Sequence, residues 1–188
     1  MQQFSKLNTS GYIFQHQKQD YEVFKGLIRT SAELSLDTCI EQRVAIIGID
    51  QKIAALLEKI RNVSSSVYVF QIQPALILPQ SEQRYSRYVH HPLLFKNKRL
   101  INPRIKSILA LRFLDSQIQD NWLKRQLTPN ITREKKEFLK SDDYYHALQQ
   151  EKCQLITWPV KKITESCIEC VDGSIYPVDL IITTNLHQ

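Results

Sequence analysis

The sequence predicts an α/β fold, a Rossmann-like parallel sheet with flanking helices and a small antiparallel β-meander. Three observations carry that reading. Residues 44–47, VAII, form a continuous apolar run of the kind buried on both faces in parallel sheets. Ile53, Leu56, Leu57 and Ile60 then recur at helical spacing, and residues 65–70, SSVYVF, return as a second buried strand. Strand, helix and strand within about thirty residues is the size of a βαβ unit.

The remaining elements follow in order. Residues 1–23 are mostly polar, with Tyr12, Ile13 and Phe14 as their one apolar run, carry a turn at 8–11, and read as an N-terminal arm ahead of a domain over 24–188. Pro74 and Pro79 bracket a loop after the second strand, and a polar and aromatic segment runs from Ser81 to His91, before Pro92. Its histidines, His90 and His91, lack partners at ligand spacing and read as surface or packing residues. Residues 105–127 predict two amphipathic helices, with Ile108, Leu111, Phe113, Leu114, Ile118, Trp122 and Leu123 turned inward. Ser141, Asp142 and Asp143 mark a helix start before YYHALQQ, because short polar side chains cap free N–H groups and acids suit the helix dipole. Residues 153–157 predict the next strand, 159–177 an antiparallel meander and 178–182 a last buried strand.

At 188 residues and 43% hydrophobic, the chain suits one domain with a sizeable core. No stretch reaches the roughly 18 consecutive apolar residues of a membrane span, and the first residues lack the basic and apolar regions of a secretory signal. A soluble, cytoplasmic protein is expected. The net charge of +6 raises the question of an acidic partner. Basic residues gather at Lys96, Lys98, Arg99, Arg104 and Lys106, and again over 124–140, where acidic neighbours dilute them. With no aromatic platform motif and no zinc-finger spacing, a solvated basic surface outweighs nucleic-acid binding. Of the cysteines Cys39, Cys153, Cys167 and Cys170, the last two form a CxxC. They fall on a strand beside the turn Asp172-Gly173, where residues three apart face opposite sides, so no metal is expected.

The turn after the first strand of a dinucleotide fold carries G-x-G-x-x-G, whose glycines allow a tight turn, close backbone approach to a pyrophosphate and close packing of helix on strand. Here it reads Gly48, Ile49, Asp50, Gln51, Lys52, Ile53, with the first glycine alone retained. Asp50 adds a carboxylate that can cap the helix, occupying N–H groups a phosphate would need. Two like charges about 4 Å apart also repel by about 4 kcal/mol at an effective dielectric near 20, an offset Lys52 reduces in part. The second strand ends at Gln71, Ile72, Gln73 and Pro74, without the acid that holds a ribose or the arginine that meets a 2′-phosphate. Gln71 retains hydrogen-bonding capacity without charge.

Five phrases in order resemble the NADPH-binding domain of flavin-containing and Baeyer–Villiger-type monooxygenases, from about Phe24 to the C-terminus. FKGLIRTSAEL is similar to F-x-G-x-x-x-H-x-x-x-W; RVAIIG and VYVFQIQPALILP resemble RVAVIGTGAS and VFQRTPPWVLP. WLKRQLTPNITREKKEFLKSDDYYHAL resembles a segment with LTP, a Lys-Arg pair and DYY, and DGSIYPVDLIITTN resembles a closing DG followed by D-x-I-x-x-ATG. The departures fall where the resemblance implies chemistry. The signature histidine and tryptophan correspond to Thr30 and Leu34, the later fingerprint glycines to Asp50 and Ile53, and the 2′-phosphate arginine to Ile72. The Lys-Arg pair becomes Lys135 and Lys136, charge without the guanidinium fork; the closing ATG becomes Thr183, Thr184 and Asn185.

The resemblance also implies an FAD domain around this one, and neither its N-terminal fingerprint nor its later strands are read here. The expectation is therefore a non-catalytic protein derived from such a domain, with no cofactor and no FAD in this chain, working by contact with another protein or a second copy. An NAD(P)H-binding subunit of a split flavin-dependent oxidoreductase, paired with an FAD-bearing chain, is the alternative; a basic nucleic-acid or acidic-partner binder and a gene fragment without a selected role are the others. If NADPH binds, the expected contacts are the turn Gly48, Ile49, Asp50, Gln51, Lys52 and Ile53, with Gln71 and with charge from Lys135 and Lys136.

Overall fold

The computed structural model describes residues 21–80, 103–129 and 137–184. The expected arm up to residue 20, the histidines His90 and His91, the basic residues 96–99, Lys135 and Lys136 lie outside the described residues.

Five strands, β1 (Leu27–Thr30), β2 (Arg43–Ile47), β3 (Ser66–Phe70), β6 (Cys153–Ile156) and β10 (Leu180–Thr183), form a parallel sheet in the order β1-β10-β2-β3-β6. Helix α1 (Gln51–Val63) crosses from β2 to β3. A separate parallel pair joins β4 (Leu76–Leu78) to β5 (Phe138–Lys140). The remaining helices are α2 (Pro103–Gln117), α3 (Asn121–Leu127) and α4 (Tyr144–Leu148), and β7 (Val160–Ile163), β8 (Cys167–Cys170) and β9 (Ile175–Pro177) make the antiparallel meander.

The central strands β2, β3 and β10 are largely buried on both faces, and the two-residue period sorts their side chains between two cores. Val44, Ile46, Val67, Val69, Leu180 and Ile182 meet the helices, where Ile53, Leu57 and Ile60 of α1 pack with Phe113, Leu114 and Tyr145. Ala45, Ile47, Phe70, Ile156 and Ile181 face the other way, onto Ile163, Ile168 and Cys170 of the meander and Phe24. The meander is thus the second covering layer of the sheet. Because β8 turns Ile168 and Cys170 into this core, Cys167 points away from it, as the three-residue spacing requires. All four cysteines are free.

Several expectations are corrected. The loop between Pro74 and Pro79 contains β4, whose three residues are all buried and pair with a segment far along the chain. Ile108 is 51% exposed, because α2 buries Leu109, Ala110, Phe113 and Leu114 and Ile108 lies on the opposite side. Trp122 is 66% exposed, in the first turn of a helix that buries Leu127 at its other end. At the start of α4 the N-cap residue Asp143 makes no side-chain cap bond, and the Ser141 hydroxyl accepts from the Tyr144 N–H at 3.1 Å. Asp142 instead accepts from the Gln80 N–H at 3.0 Å. Among the described residues, no helix is long and apolar enough to cross a membrane.

Candidate functional site

In open parallel sheets, ligands bind beyond the carboxyl ends of the strands, where the strand order reverses. Here β2 leads through α1 to β3 on one side, while β10 and β1 lie on the other. The crevice is therefore formed by the end of β2, the end of β10 and the first turn of α1.

Gly48 takes φ +83°, a left-handed conformation that glycine adopts without strain. Its N–H donates to Phe70 O at 3.1 Å, and the Thr184 N–H donates to Ile47 O at 3.2 Å. A Cβ on Gly48 would stand 2.5 Å from Thr184 Oγ1. The glycine thus lets the end of β10 close onto the end of β2, which requires no ligand.

The three polar side chains that follow, Asp50, Gln51 and Lys52, are each bonded within the chain itself. Asp50, in extended conformation, accepts the Ile53 N–H on Oδ1 at 2.8 Å and caps α1, as its residue type suggested. Gln51 makes a reciprocal pair with the Lys140 backbone: Nε2 donates to Lys140 O and Oε1 accepts the Lys140 N–H, each at 2.8 Å. Lys52 Nζ donates to Ala32 O at 2.8 Å and Leu34 O at 3.3 Å. Ile49 is half-buried against the helix-side core and Ile53 is fully buried within it.

Two of the expected contacts make bonds within the chain in this geometry. The Lys52 ammonium, taken as an offset for a phosphate, is spent on two carbonyl oxygens of the segment after β1. Gln71 is 4% exposed, and its Oε1 accepts the Tyr144 hydroxyl at 2.6 Å, so the oxygen expected to meet a ribose is already bonded. Burial holds the Tyr144 phenol well above its ordinary range, which keeps it a neutral donor. Gln71 Nε2 is buried without a hydrogen-bond partner. The roles of Tyr144, Lys140, Ala32 and Leu34 at the site escaped the sequence reading. Three of these act through backbone atoms, which leave no mark on residue type.

On the outer side of α1, Glu58 pairs with Arg61 and lies 3.4 Å from His146 Nδ1. Arg61 and His146 hold the Glu58 carboxyl below its ordinary range against the opposing effect of burial, which is the largest single influence on it. Burial pushes the nearby Cys153 thiol up to about 12, which removes it as a nucleophile near neutral pH.

No protein-family model matches the chain. It is 28% identical to a Baeyer–Villiger monooxygenase of Pseudomonas aeruginosa, over 86% of this chain and 35% of that protein. It is 26% identical to an FAD-binding monooxygenase of Aspergillus niger, over 75% of this chain and 27% of that one. The chain thus spans about a third of the length of the relatives it matches. Among solved structures, cyclohexanone monooxygenase in its open form superposes with a TM-score of 0.70 at 13% identity, covering 87% of this chain and 44% of that one. Oxidized steroid monooxygenase bound to NADP gives 0.67 at 16% identity, covering 86% and 42%. The chain is similar in sequence to Baeyer–Villiger and FAD-binding monooxygenases, shares the fold of a part of such enzymes, and corresponds to part of their length.

Proposed function

We propose that this chain is a dinucleotide-type domain that no longer binds NADPH and acts without catalysis, through contact with another protein or a second copy, in the cytoplasm. The observation that supports it is the self-satisfied turn at Gly48 to Ile53. The Ile53 N–H that would serve a pyrophosphate is held by Asp50, and Lys52 and Gln51 are bonded to Ala32, Leu34 and Lys140. A phosphate offered here meets a carboxylate and displaces bonds already made. The free state of all four cysteines fits a reducing compartment.

The protein-contact part of the reading is supported by the meander, which exposes Trp158 at 55%, Val171 at 60% and Ile175 at 62%. Apolar side chains that gather on one surface mark contact sites, and the Val171 N–H bonds Pro159 O, next to Trp158, at 3.0 Å. The matched relatives are longer than this chain, and their additional length is a natural source of contacts for the equivalent region.

A calorimetric titration of the folded chain with NADPH, NADH and FAD at low salt decides the nucleotide part. The expected result is no heat of binding at micromolar ligand. Micromolar NADPH binding weakened by exchanging Lys135 and Lys136 for alanine would overturn the reading. The retained Gly48 turn favours one second reading, an NAD(P)H-binding subunit of a split flavin-dependent oxidoreductase. Binding of NADPH that emerges on adding an FAD-bearing chain would select it.

A further inference from the structure

Thr30, at the end of β1, stands beside Thr183 of β10, which in turn stands beside Ile47 of β2. The chain leaving β1 therefore starts beside β10, two strands along from β2, and runs on to α1, which follows β2. It does so as a 3-10 turn over Ser31–Glu33, with Thr30 and Glu33 forming a reciprocal capping box at its start. At its other end the turn presents the carbonyl oxygens of Ala32 and Leu34, both of which accept from Lys52 Nζ.

An ammonium at the carbonyl end of a helical turn satisfies orphan acceptors and opposes the negative end of its dipole. The stretch runs on through a second 3-10 turn, Leu36–Cys39. Its two 3-10 turns close through long bonds, Leu34 N–H to Ser31 O at 3.3 Å and Ile40 N–H to Asp37 O at 3.4 Å. Leu34 and Cys39 anchor it in the helix-side core.

We propose that residues 31–34 form a strap from β1 to the first turn of α1, alongside the switch-point crevice, and that the Lys52 ammonium is its latch. The inference deepens the proposed loss of nucleotide binding and rests on that reading for its consequence: an anion entering the crevice competes with Ala32 O and Leu34 O for the one ammonium of that turn. Lys52 is a positioning residue, and its effect is confined to the strap.

Amide hydrogen exchange on the full chain tests the latch. In Lys52→Met, exchange over residues 31–36 is expected to accelerate about fivefold to tenfold while residues 66–70 of β3 keep their rates; Lys52→Arg, which keeps the charge and the donors, is expected to retain the wild-type protection. Unchanged exchange over 31–36 in Lys52→Met overturns the proposal. So does a uniform acceleration across the chain, which would make Lys52 a support of the whole fold. Nucleotide titration of the wild type is a separate measurement, so NADPH binding alongside a confirmed latch would overturn the proposed function and leave the strap standing.

Discussion

Asp50 occupies the position at which a dinucleotide turn needs a residue without a side chain, and it serves the helix instead. Its Oδ1 bond to the Ile53 N–H satisfies one of the donors that a helix leaves unpaired at its start. Asp50→Ala is expected to lower stability by about 1 kcal/mol, the usual cost of losing a cap, and Asp50→Ser to restore most of it. Urea denaturation of the three proteins reads this directly. If alanine and serine shift the midpoint equally, the carboxylate charge and not the cap is what matters. Gly26 tells a similar story about scaffold. A Cβ there would lie 2.3 Å from Asp179 O, a backbone atom that cannot rotate aside. The glycine of the F-x-G phrase is thus explained by packing against the start of β10.

At the scale of elements, the phrases that resemble the monooxygenases turn out to fasten strands to one another. Arg43 opens β2 and Asp179 precedes β10; the guanidinium donates from Nε to Oδ2 at 2.8 Å and from Nη2 to Oδ1 at 2.6 Å, and the Arg43 N–H donates to Oδ2 at 3.0 Å. Arg43 holds the Asp179 carboxyl below its usual range. A carboxyl with a depressed folded pKa contributes stability above its unfolded pKa of about 4 and loses it as pH falls through the folded value. Both side chains are more than a third exposed, so the effect is modest. Wild type is expected to lose stability below about pH 4 more steeply than Asp179→Asn, which starts lower and changes less there. Parallel acid limbs in the two denaturation series would remove the pair from the account. The buried runs of β2, β3, β6 and β10, the α1 stripe and the meander were legible because burial and period leave a local mark. Strand β1, with Leu27 45% exposed at a sheet edge, and β4, whose partner Phe138–Lys140 lies far along the chain, leave none. At the site, the Asp50 cap could be read from residue type, whereas Lys52 and Gln51 bond backbone groups that pattern cannot locate.

At the scale of the whole molecule, one sheet is shared by two cores of different make. Helices cover one face and the meander the other, and the alternating side chains of β2, β3 and β10 belong to both. Removing either cover would leave a row of buried aliphatic side chains facing water, at roughly 25 cal/mol for each Å² of apolar surface exposed. The two layers should therefore unfold together. The chain carries its own reporters, since its two tryptophans fall on different parts of this arrangement, Trp122 on α3 and Trp158 just before β7. Both are more than half exposed, so replacing either with phenylalanine removes little packing. Single-tryptophan variants, Trp122→Phe and Trp158→Phe, are expected to give denaturation midpoints that coincide within about 0.2 M urea, as a two-state domain requires. An earlier transition reported by Trp158 alone would mean that the meander detaches while the helix-side core holds. The exposed Trp158, Val171 and Ile175 would then belong to a separable cover, and any partner bound there would stabilise that cover without acting on the crevice.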